Sequence, residues 1–317
     1  MLSVYLSDSK VEVRQQAIPE RPDGFALIRL LMGGICNTDI ELQRGYYGFS
    51  GTPGHEFVGE VVAADDASWV GRRVVGDINL GCHHCTWCSR GLVRHCPHRT
   101  VLGIVKHPGA FREFLTLPER NLHAVPDSVS TEHAVFTEPL AAACEILDQV
   151  SIPEGGAVAV LGDGKLGLLI GQVLQASGCR VHQFGKHPEK LRIAARAGVV
   201  TELVRDQMPE AEYEWVVDAT GSALGLRTAA RMVQPRGTVI LKSTIHGEVS
   251  VDTAPIIVNE ITLVGSRCGR FEPALRLLET GAVQVDEMIS ETLPLAEAER
   301  AFSIAARHGV LKVLLAN

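Results

Sequence analysis

Four cysteines stand close together in the stretch GCHHCTWCSRGLVRHCP, residues 81 to 97, where they follow the spacing C-x2-C-x2-C-x7-C. They are Cys82, Cys85, Cys88 and Cys96. Residues so near to one another along the chain can converge on one ion without help from distant parts of the fold. Four thiolates in tetrahedral array form the usual closed shell of structural zinc. The spacing therefore predicts a structural zinc site.

An iron–sulfur cluster is the main alternative for this stretch. Bacterial ferredoxins also begin C-x2-C-x2-C and end with Cys-Pro, as Cys96-Pro97 does here. The last gap is longer than in those proteins, and the chain has no second motif of this kind. The sequence favours zinc, and an ion saturated by four thiolates does no chemistry of its own.

A second set of metal-binding residues comes from three separate stretches. Cys36 lies in GGICNTDIEL, His55 and Glu56 lie in TPGHEFVGEVV, and Glu138 lies in FTEPLAAACE. Sulfur, imidazole and carboxylate together suit a zinc ion that keeps one exchangeable position. Cys36 alone would be interpreted as a small buried hydrophobic residue. As part of this set, it predicts a catalytic zinc site.

The stretch GGAVAVLGDGKLGLLIGQVLQASG, residues 155 to 178, has the order of an apolar strand, a glycine turn and a helix. It contains the pattern G-x-G-x-x-G, whose glycines permit the turn, the approach of a pyrophosphate and the packing of helix on strand. The pyrophosphate would lie at the helix N-terminus, where free amide groups point. The predicted cofactor contacts here are Gly162, Gly164, Lys165, Leu166 and Gly167.

The next strand indicates which dinucleotide binds. An NAD site usually ends this strand with a carboxylate for the ribose 2′-hydroxyl. In this chain the position falls on Gly185, which Lys186 and His187 follow. A missing carboxylate removes repulsion toward a 2′-phosphate, and a neighbouring cation adds attraction. These three residues are therefore predicted cofactor contacts that favour NADP(H), while NAD(H) stays open because Lys186 could equally be a solvated surface charge.

Taken together, these motifs resemble the zinc-dependent medium-chain dehydrogenase/reductase superfamily, which includes alcohol and polyol dehydrogenases. The cysteine of C-x-T-D, the triplet G-H-E, the four-cysteine stretch and the glutamate of E-P-L occur in order, and the resemblance runs from the first strand to the C-terminal KVLL. It implies that Cys36, His55 and Glu138 bind a catalytic zinc. Glu56 would be a fourth ligand or lie one water away.

The resemblance also assigns roles to the residues after Cys36. Thr38 would pass the substrate proton onward. Asp39 would orient the ring of His55 by a hydrogen bond, although it could instead cap the helix that begins near Ile40. Many relatives continue the proton relay with a histidine where this chain has Glu41. Glu41 either takes that role or faces solvent on an amphipathic helix.

The elements that position these residues point to an α/β protein with two kinds of domain. The strand-like stretches GFALIRLLMGG and FVGEVVAADD favour a partly closed β-barrel, which is the GroES-like catalytic domain of the resemblance. After the glycine turn, strands and helices alternate, which predicts an inserted doubly wound parallel sheet of the Rossmann type. We expect residues 1–139 to be catalytic, 140–265 to bind the dinucleotide, and 266–317 to return to the catalytic domain.

Three residues at predicted strand ends in the nucleotide domain are further candidates for ribose or nicotinamide contacts. The carboxyl ends of the strands should lie at the cofactor crevice of a doubly wound sheet. The residues are Ala219, Thr220 and Ser243. The alternative is that each of them only ends a strand.

Composition limits the partners. The 317 residues are 46% hydrophobic, carry a net charge of −7 and have a pI near 6.0, so the chain has no general attraction to nucleic acid or anionic lipid. No apolar run reaches the length of a membrane span, and the N-terminus lacks the pattern of a signal peptide. We therefore expect a cytoplasmic protein with reduced cysteines and no nucleic-acid or membrane partner.

The sequence as a whole predicts a zinc-dependent, NAD(P)-dependent alcohol dehydrogenase. Its small-molecule substrate would be a secondary alcohol or ketone, such as a polyol, a sugar or a hydroxy amino acid of the kind that threonine dehydrogenase uses. The alternative is a non-catalytic or regulatory dinucleotide-binding protein on the same fold, which a broken ligand set would indicate. Metal-free quinone reductases lack the four-cysteine stretch. By analogy with such families, we expect a homodimer or homotetramer.

Overall fold

The computed structural model describes residues 1–243 and 248–317. It divides into two compact units, of which the first comprises Met1–Glu138 and Met288–Asn317 and the second comprises Pro139–Glu287. The sequence predicts the return to the catalytic domain at residue 266, whereas the structure has it at Met288. The catalytic residues predicted near the metal all belong to the first unit, and the predicted dinucleotide contacts all belong to the second.

Strands and helices are numbered along the chain. The strands are β1 (Leu2–Ser7), β2 (Lys10–Gln15), β3 (Phe25–Gly34), β4 (Glu56–Ala63), β5 (Arg73–Gly76), β6 (Asn79–Leu80), β7 (Thr100–Leu102), β8 (Lys106–His107), β9 (Phe114–Pro118), β10 (Leu122–Ala124), β11 (Ala157–Leu161), β12 (Arg180–Gly185), β13 (Val200–Leu203), β14 (Tyr213–Asp218), β15 (Val233–Leu241), β16 (Thr262–Gly265), β17 (Ile289–Pro294) and β18 (Lys312–Ala316). The helices are α1 (Asn37–Gln43), α2 (Thr86–Ser89), α3 (Thr131–Ala134), α4 (Thr137–Gln149), α5 (Lys165–Ala176), α6 (Pro188–Arg196), α7 (Ala223–Met232), α8 (Ala254–Val258), α9 (Phe271–Glu279) and α10 (Ala298–Ala305). Short 3₁₀ turns occur at Tyr46–Gly48, Ala67–Trp69, Val93–His95, Glu119–Asn121, Asp286–Met288 and Leu295–Glu297.

The first unit is built on a seven-stranded sheet in which β3 is the central strand. Its path runs β10-β5-β4-β3-β18-β17, and β9 also pairs with β3. The alternating burial of Ala26, Ile28 and Leu30 shows that one face of β3 packs into the core. β18 comes from the C-terminal end of the chain and pairs antiparallel with β3. The last strand of the protein therefore lies next to the segment that carries Cys36.

The second unit contains a parallel sheet of six strands in the order β13-β12-β11-β14-β15-β16. The order reverses direction between β11 and β14, as in a doubly wound sheet, and this confirms the predicted fold class. β11 is entirely apolar because a central parallel strand is covered on both faces. Leu161, Phe184 and Val216 are among the buried residues of this core.

The segment from 266 to 287 belongs to the second unit, and two residues just before α9 contact α4 there. A side chain added at Gly269 would collide with the backbone of Ala141 in α4. Arg270, which precedes α9, pairs with Asp148 of α4. Among residues 1–243 and 248–317, no helix is long and apolar enough to cross a membrane.

Candidate functional site

The sulfur atoms of the four cysteines predicted to bind structural zinc lie within 4.8 Å of one another. The Sγ–Sγ distance is 3.6 Å for Cys85 and Cys88, 3.7 Å for Cys85 and Cys96, and 3.5 Å for Cys96 and Cys82. Tetrahedral zinc with Zn–S bonds of about 2.3 Å would separate its sulfur ligands by about 3.8 Å. The arrangement therefore fits one zinc ion.

Two of these thiols differ strongly in acidity. Burial, together with the neighbouring Cys85, raises the pKa of Cys88 to about 12. The backbone N–H of Cys82 donates to the sulfur of Cys96 and lowers the pKa of that thiol to about 6. Because zinc binds thiolates, an ion here would displace the proton that burial keeps on Cys88.

A second group of donors forms where β3 and β4 run side by side. Cys36 follows β3 and begins α1, while His55 precedes β4 and Glu56 opens it. Gly34 and Glu56 are register partners in the two antiparallel strands. This pairing brings the three donor atoms of Cys36, His55 and Glu56 within 4.8 Å of one another.

Asp39 is fully buried between the two segments that carry these donors. Its Oδ2 accepts from the backbone N–H of Cys36 at 2.9 Å, which caps α1, and its Oδ1 accepts from Gly54 N–H at 3.1 Å. The same Oδ1 lies 3.5 Å from Nδ1 of His55. Asp39 therefore caps α1, and its role in orienting the ring of His55 stays a prediction.

Glu56 pairs with a buried lysine that the sequence analysis missed. Lys312 of β18 donates from Nζ to Oε2 of Glu56, and its ammonium lies 5.7 Å from the centre of the Phe136 ring. Burial works to lower the pKa of Lys312, but the charges of Glu56 and Cys36 raise it overall. The signal available in the sequence was a lysine inside the apolar run VLKVLLA, since a buried charge needs a partner.

Two buried polar atoms of this group have no hydrogen-bond partner among the described residues. They are Nδ1 of His55 and Oε1 of Glu56. Burial works to lower the pKa of His55, yet the neighbouring Asp39 and Cys36 raise it well above its ordinary value. An orphaned buried carboxylate oxygen beside a thiol and an imidazole fits a cation, because each unmade interaction costs free energy.

Glu138 lies at the start of α4 and is not part of the tight group of three. Burial raises the pKa of its carboxyl to about 7, while the charge of His55 lowers it and that of Glu56 raises it. Its carboxylate is therefore close enough to feel both groups. The role of Glu138 as a zinc ligand stays a prediction.

The two residues predicted to handle the proton have different surroundings. Oγ1 of Thr38 lies 3.6 Å from Sγ of Cys36, so its hydroxyl is beside the metal donors. Oε1 of Glu41 accepts from Nη1 of Arg44 at 2.8 Å, on the partly exposed side of α1. This contact favours the solvent-facing alternative for Glu41, and its role in proton transfer stays a prediction.

The glycine turn of the second unit has the shape that its sequence predicts. Gly162 has φ +116°, and a side chain there would meet the backbone of Ala219. A Cβ on Gly164 would meet nothing within 4 Å. Gly164 caps α5, whose first residues are Lys165 and Leu166. The space beside Gly164 at the start of α5 therefore leaves room for a pyrophosphate.

The strand end that indicates cofactor preference is organised by a residue that the sequence analysis did not single out. Oδ2 of Asp163, inside the glycine turn, accepts from the backbone N–H groups of Lys186 and His187, both at 2.6 Å. Lys186 itself is exposed, and Gly185 ends β12. The signal in the sequence was an acidic residue between two turn glycines.

Ala219, Thr220 and Ser243 gather at the ends of β14 and β15. The hydroxyls of Thr220 and Ser243 both donate to Oδ1 of Asp218, at 2.8 and 3.0 Å. The backbone N–H of Ala219 donates to Leu161. These contacts hold the strand ends together, and cofactor contacts by these residues stay predictions.

Two family models match the chain. One is described as the alcohol dehydrogenase GroES-like domain and matches residues 22–127. The other is described as zinc-binding dehydrogenase and matches residues 166–280. The first match covers the segment from Cys36 to the four cysteines, and the second covers most of the parallel sheet.

Proteins of similar sequence and structure extend over nearly the whole chain. The D-altritol 5-dehydrogenase of Agrobacterium fabrum is 30% identical over 311 residues, which cover 92% of each chain. The erythritol/L-threitol dehydrogenase of Mycolicibacterium smegmatis is 27% identical over 328 residues, covering 93% of this chain and 91% of the relative. A protein of Sinorhizobium meliloti described as a zinc-binding dehydrogenase, solved with NADP, is 30% identical with a TM-score of 0.91, covering 100% of this chain and 99% of that one.

Proposed function

The chain belongs to the zinc-dependent medium-chain dehydrogenase/reductase superfamily, and from that premise we propose that it oxidises a secondary hydroxyl group of a polyol to the ketone, reversibly. It is a zinc-dependent, NAD(P)-dependent oxidoreductase. The observation that carries the proposal is the group of half-buried Cys36 with buried His55 and Glu56, in which Oε1 of Glu56 has no hydrogen-bond partner among the described residues. This ligand set is unbroken, which supports catalysis over the alternative of a non-catalytic dinucleotide-binding protein.

The substrate class within this proposal rests on the relatives. The proteins of Agrobacterium fabrum and Mycolicibacterium smegmatis are named for altritol, erythritol and threitol, which are polyols. We extend that class to this chain, while sugars and hydroxy amino acids remain in the set to be tested.

The catalytic zinc would be held by Cys36 and His55, with carboxylate from Glu56, Glu138 or both. When bound, zinc supplies a Lewis acid that lowers the pKa of a hydroxyl group and, in the reverse direction, polarises a carbonyl. Lys312 holds Oε2 of Glu56 and leaves Oε1 for the cation. Asp39 accepts from the backbone N–H of Cys36 and, 3.5 Å from Nδ1 of His55, would orient that ring.

Thr38 would relay the proton of the substrate hydroxyl, giving its own hydroxyl proton onward as it accepts that one, because its hydroxyl both donates and accepts and lies beside Cys36. A dinucleotide, when bound, would supply a hydride acceptor for the carbon that carries the hydroxyl. Gly162, Gly164 and the first turn of α5 would hold its pyrophosphate. The four cysteines from Cys82 to Cys96 would hold a structural zinc that takes no part in the reaction.

We further propose that the protein is a homodimer or homotetramer that works in the cytoplasm. Among the described strands β16 ends the parallel sheet, and Leu263 on it is 40% exposed while Ile257 and Val258 nearby are 72% and 78% exposed. An exposed apolar sheet edge is a surface on which a second copy can pair. A molar mass of one chain by light scattering would contradict this. The cytoplasmic assignment is supported by the free thiols that the four-cysteine site requires.

The proposed reaction is tested with a panel of polyols, sugars, hydroxy amino acids and simple secondary alcohols, each offered with NAD⁺ and NADP⁺. The absorbance of the reduced nicotinamide should rise with at least one polyol, stop after metal removal and return with zinc. Dinucleotide binding without turnover of any substrate, in either direction, would favour the non-catalytic alternative. A best substrate outside the polyols would overturn the substrate class alone.

A further inference from the structure

The side chain of Asp163 occupies the space next to Gly185, at the end of β12, where a side chain on residue 185 would lie. A Cβ built on Gly185 would lie 2.6 Å from both Cβ and Oδ2 of Asp163. Real Cβ atoms do not approach so closely, so the two positions cannot both carry a side chain without a shift. The end of β12 therefore has no side chain of its own at Gly185, and the carboxylate of Asp163 from the glycine turn lies in its place.

Three contacts fix this carboxylate. Oδ2 accepts from the backbone N–H groups of Lys186 and His187 at 2.6 Å each, and lies 2.9 Å from Nδ1 of His187. Backbone N–H groups between the end of a strand and the start of a helix are the donors that the 2′-phosphate of NADP(H) would use. Here an internal anion already occupies them. Asp163 is 7% exposed, so its charge is shielded from water on most sides.

The other oxygen of the same carboxylate is available. No described residue donates a hydrogen bond to Oδ1 of Asp163, although Oδ2 has three donors around it. The residue lies at the carboxyl ends of β11 and β12, which is the edge at which dinucleotide folds bind the adenosine ribose. An unused carboxylate oxygen at this edge is an acceptor for a ribose hydroxyl.

We propose that Asp163 is the carboxylate that binds the adenosine ribose hydroxyls and thereby selects NAD(H) against NADP(H). The inference rests on the proposed function, since it concerns the dinucleotide of the same reaction. A 2′-phosphate would meet the buried anion of Asp163 and find its amide donors taken. Lys186 is exposed and gives only a screened attraction. The sequence favoured NADP(H) and kept NAD(H) as the alternative, whereas this inference assigns NAD(H).

The test is the equilibrium affinity of the zinc-loaded protein for NAD⁺ and for NADP⁺, measured by calorimetry without substrate. Wild type should bind NAD⁺ at least about tenfold more tightly, the usual effect of one charge-assisted hydrogen bond. Asp163→Asn should lose about tenfold in NAD⁺ affinity and gain in NADP⁺ affinity. Glu189→Gln removes an exposed carboxylate in the first turn of α6 and is the matched control, with an unchanged ratio.

Two further variants, in which the carboxylate is removed and then moved to residue 185, keep the test informative if Asp163→Asn misfolds. Asp163→Gly should lose the preference for NAD⁺, and Asp163→Gly with Gly185→Asp should restore it, because the carboxylate then comes from the strand end. Equal or tighter binding of NADP⁺ by wild type, or an unchanged ratio in Asp163→Asn, would overturn the inference while leaving the proposed function standing. Wild type that binds neither dinucleotide would overturn both.

Discussion

The two groups of metal donors differ in how the chain assembles them. The four cysteines all lie between residues 82 and 96, and their sulfurs converge through one short helix and the turns beside it. The donors of the other group come from the end of β3 and the start of β4, and the lysine that pairs with Glu56 is 256 residues away from it. The first group depends on a loop, and the second depends on the whole sheet of its unit.

Their electrostatic environments differ as well. The four-cysteine group contains only sulfur donors, of which burial keeps Cys88 protonated in the absence of metal. The other group mixes a thiol, an imidazole and carboxylates with the buried cation of Lys312. A closed set of identical ligands suits a structural role, whereas a mixed set with an orphaned oxygen suits a cation that exchanges ligands. The four cysteines would therefore serve stability, and the group of Cys36, His55 and Glu56 would serve the reaction.

The largest expected effect comes from removing one donor of the mixed group. Cys36→Ser should lose one zinc per chain and lower kcat by at least about a thousandfold, because a Lewis acid contributes several kcal/mol to the barrier. Metal analysis and the rate of dinucleotide reduction are the measurements. Cys85→Ser should lose the other zinc, and Cys179→Ala, a core thiol outside both groups, should keep both. If Cys36→Ser had one zinc fewer and kept full activity, the zinc at Cys36 would not be catalytic and the two groups of donors would not differ in function.

The next effect concerns the buried pair of the mixed group. Lys312→Met should lower the free energy of unfolding of the zinc-loaded protein by about 3 kcal/mol, since it leaves the Glu56 carboxylate buried with the metal as its remaining cation. Urea unfolding measures this. The double variant Glu56→Gln with Lys312→Met should recover most of the loss. Equal destabilisation of the single and double variants would show that Lys312 acts through packing and that charge balance does not distinguish the two groups.

The smallest effect concerns the orientation of His55. Asp39→Asn removes a charge next to the ring, and the zinc affinity of the mixed group should fall about tenfold to a hundredfold. Competition with a chelator measures the affinity of each zinc in turn, and the zinc of the four cysteines should be unaffected. Asp148→Asn, which removes a carboxylate from the surface pair with Arg270, is the control. Equal loss from both zinc sites would indicate a general loss of stability.

Features formed by residues close together in the chain could be predicted from the sequence, and contacts between distant segments could not. The spacing of the four cysteines and the glycine turn are local patterns, so each indicates its geometry directly. The pairing of Glu56 with Lys312 depends on β18 lying against β3, which no local pattern encodes. The contact between Asp163 and the end of β12 likewise depends on the direction of one side chain. Tertiary contacts therefore supplied the residues that the sequence analysis missed.

The boundary of the nucleotide domain shows the same limit. Residues 266 to 287 follow β16, and the sequence analysis predicts that they belong to the catalytic domain. The structure assigns them to the second unit, where Gly269 closely approaches the backbone of Ala141 in α4. The ion pair between Glu41 and Arg44 is instead a local contact, because residues three apart are neighbours on the surface of a helix.

Zinc-edge anomalous diffraction from crystals of the zinc-loaded protein tests the central claim most directly. We expect two peaks per chain, one equidistant from the sulfurs of Cys82, Cys85, Cys88 and Cys96 and one bonded to Cys36 and His55 with a carboxylate oxygen. A single peak at the four cysteines, with none beside Cys36 and His55, would contradict the claim.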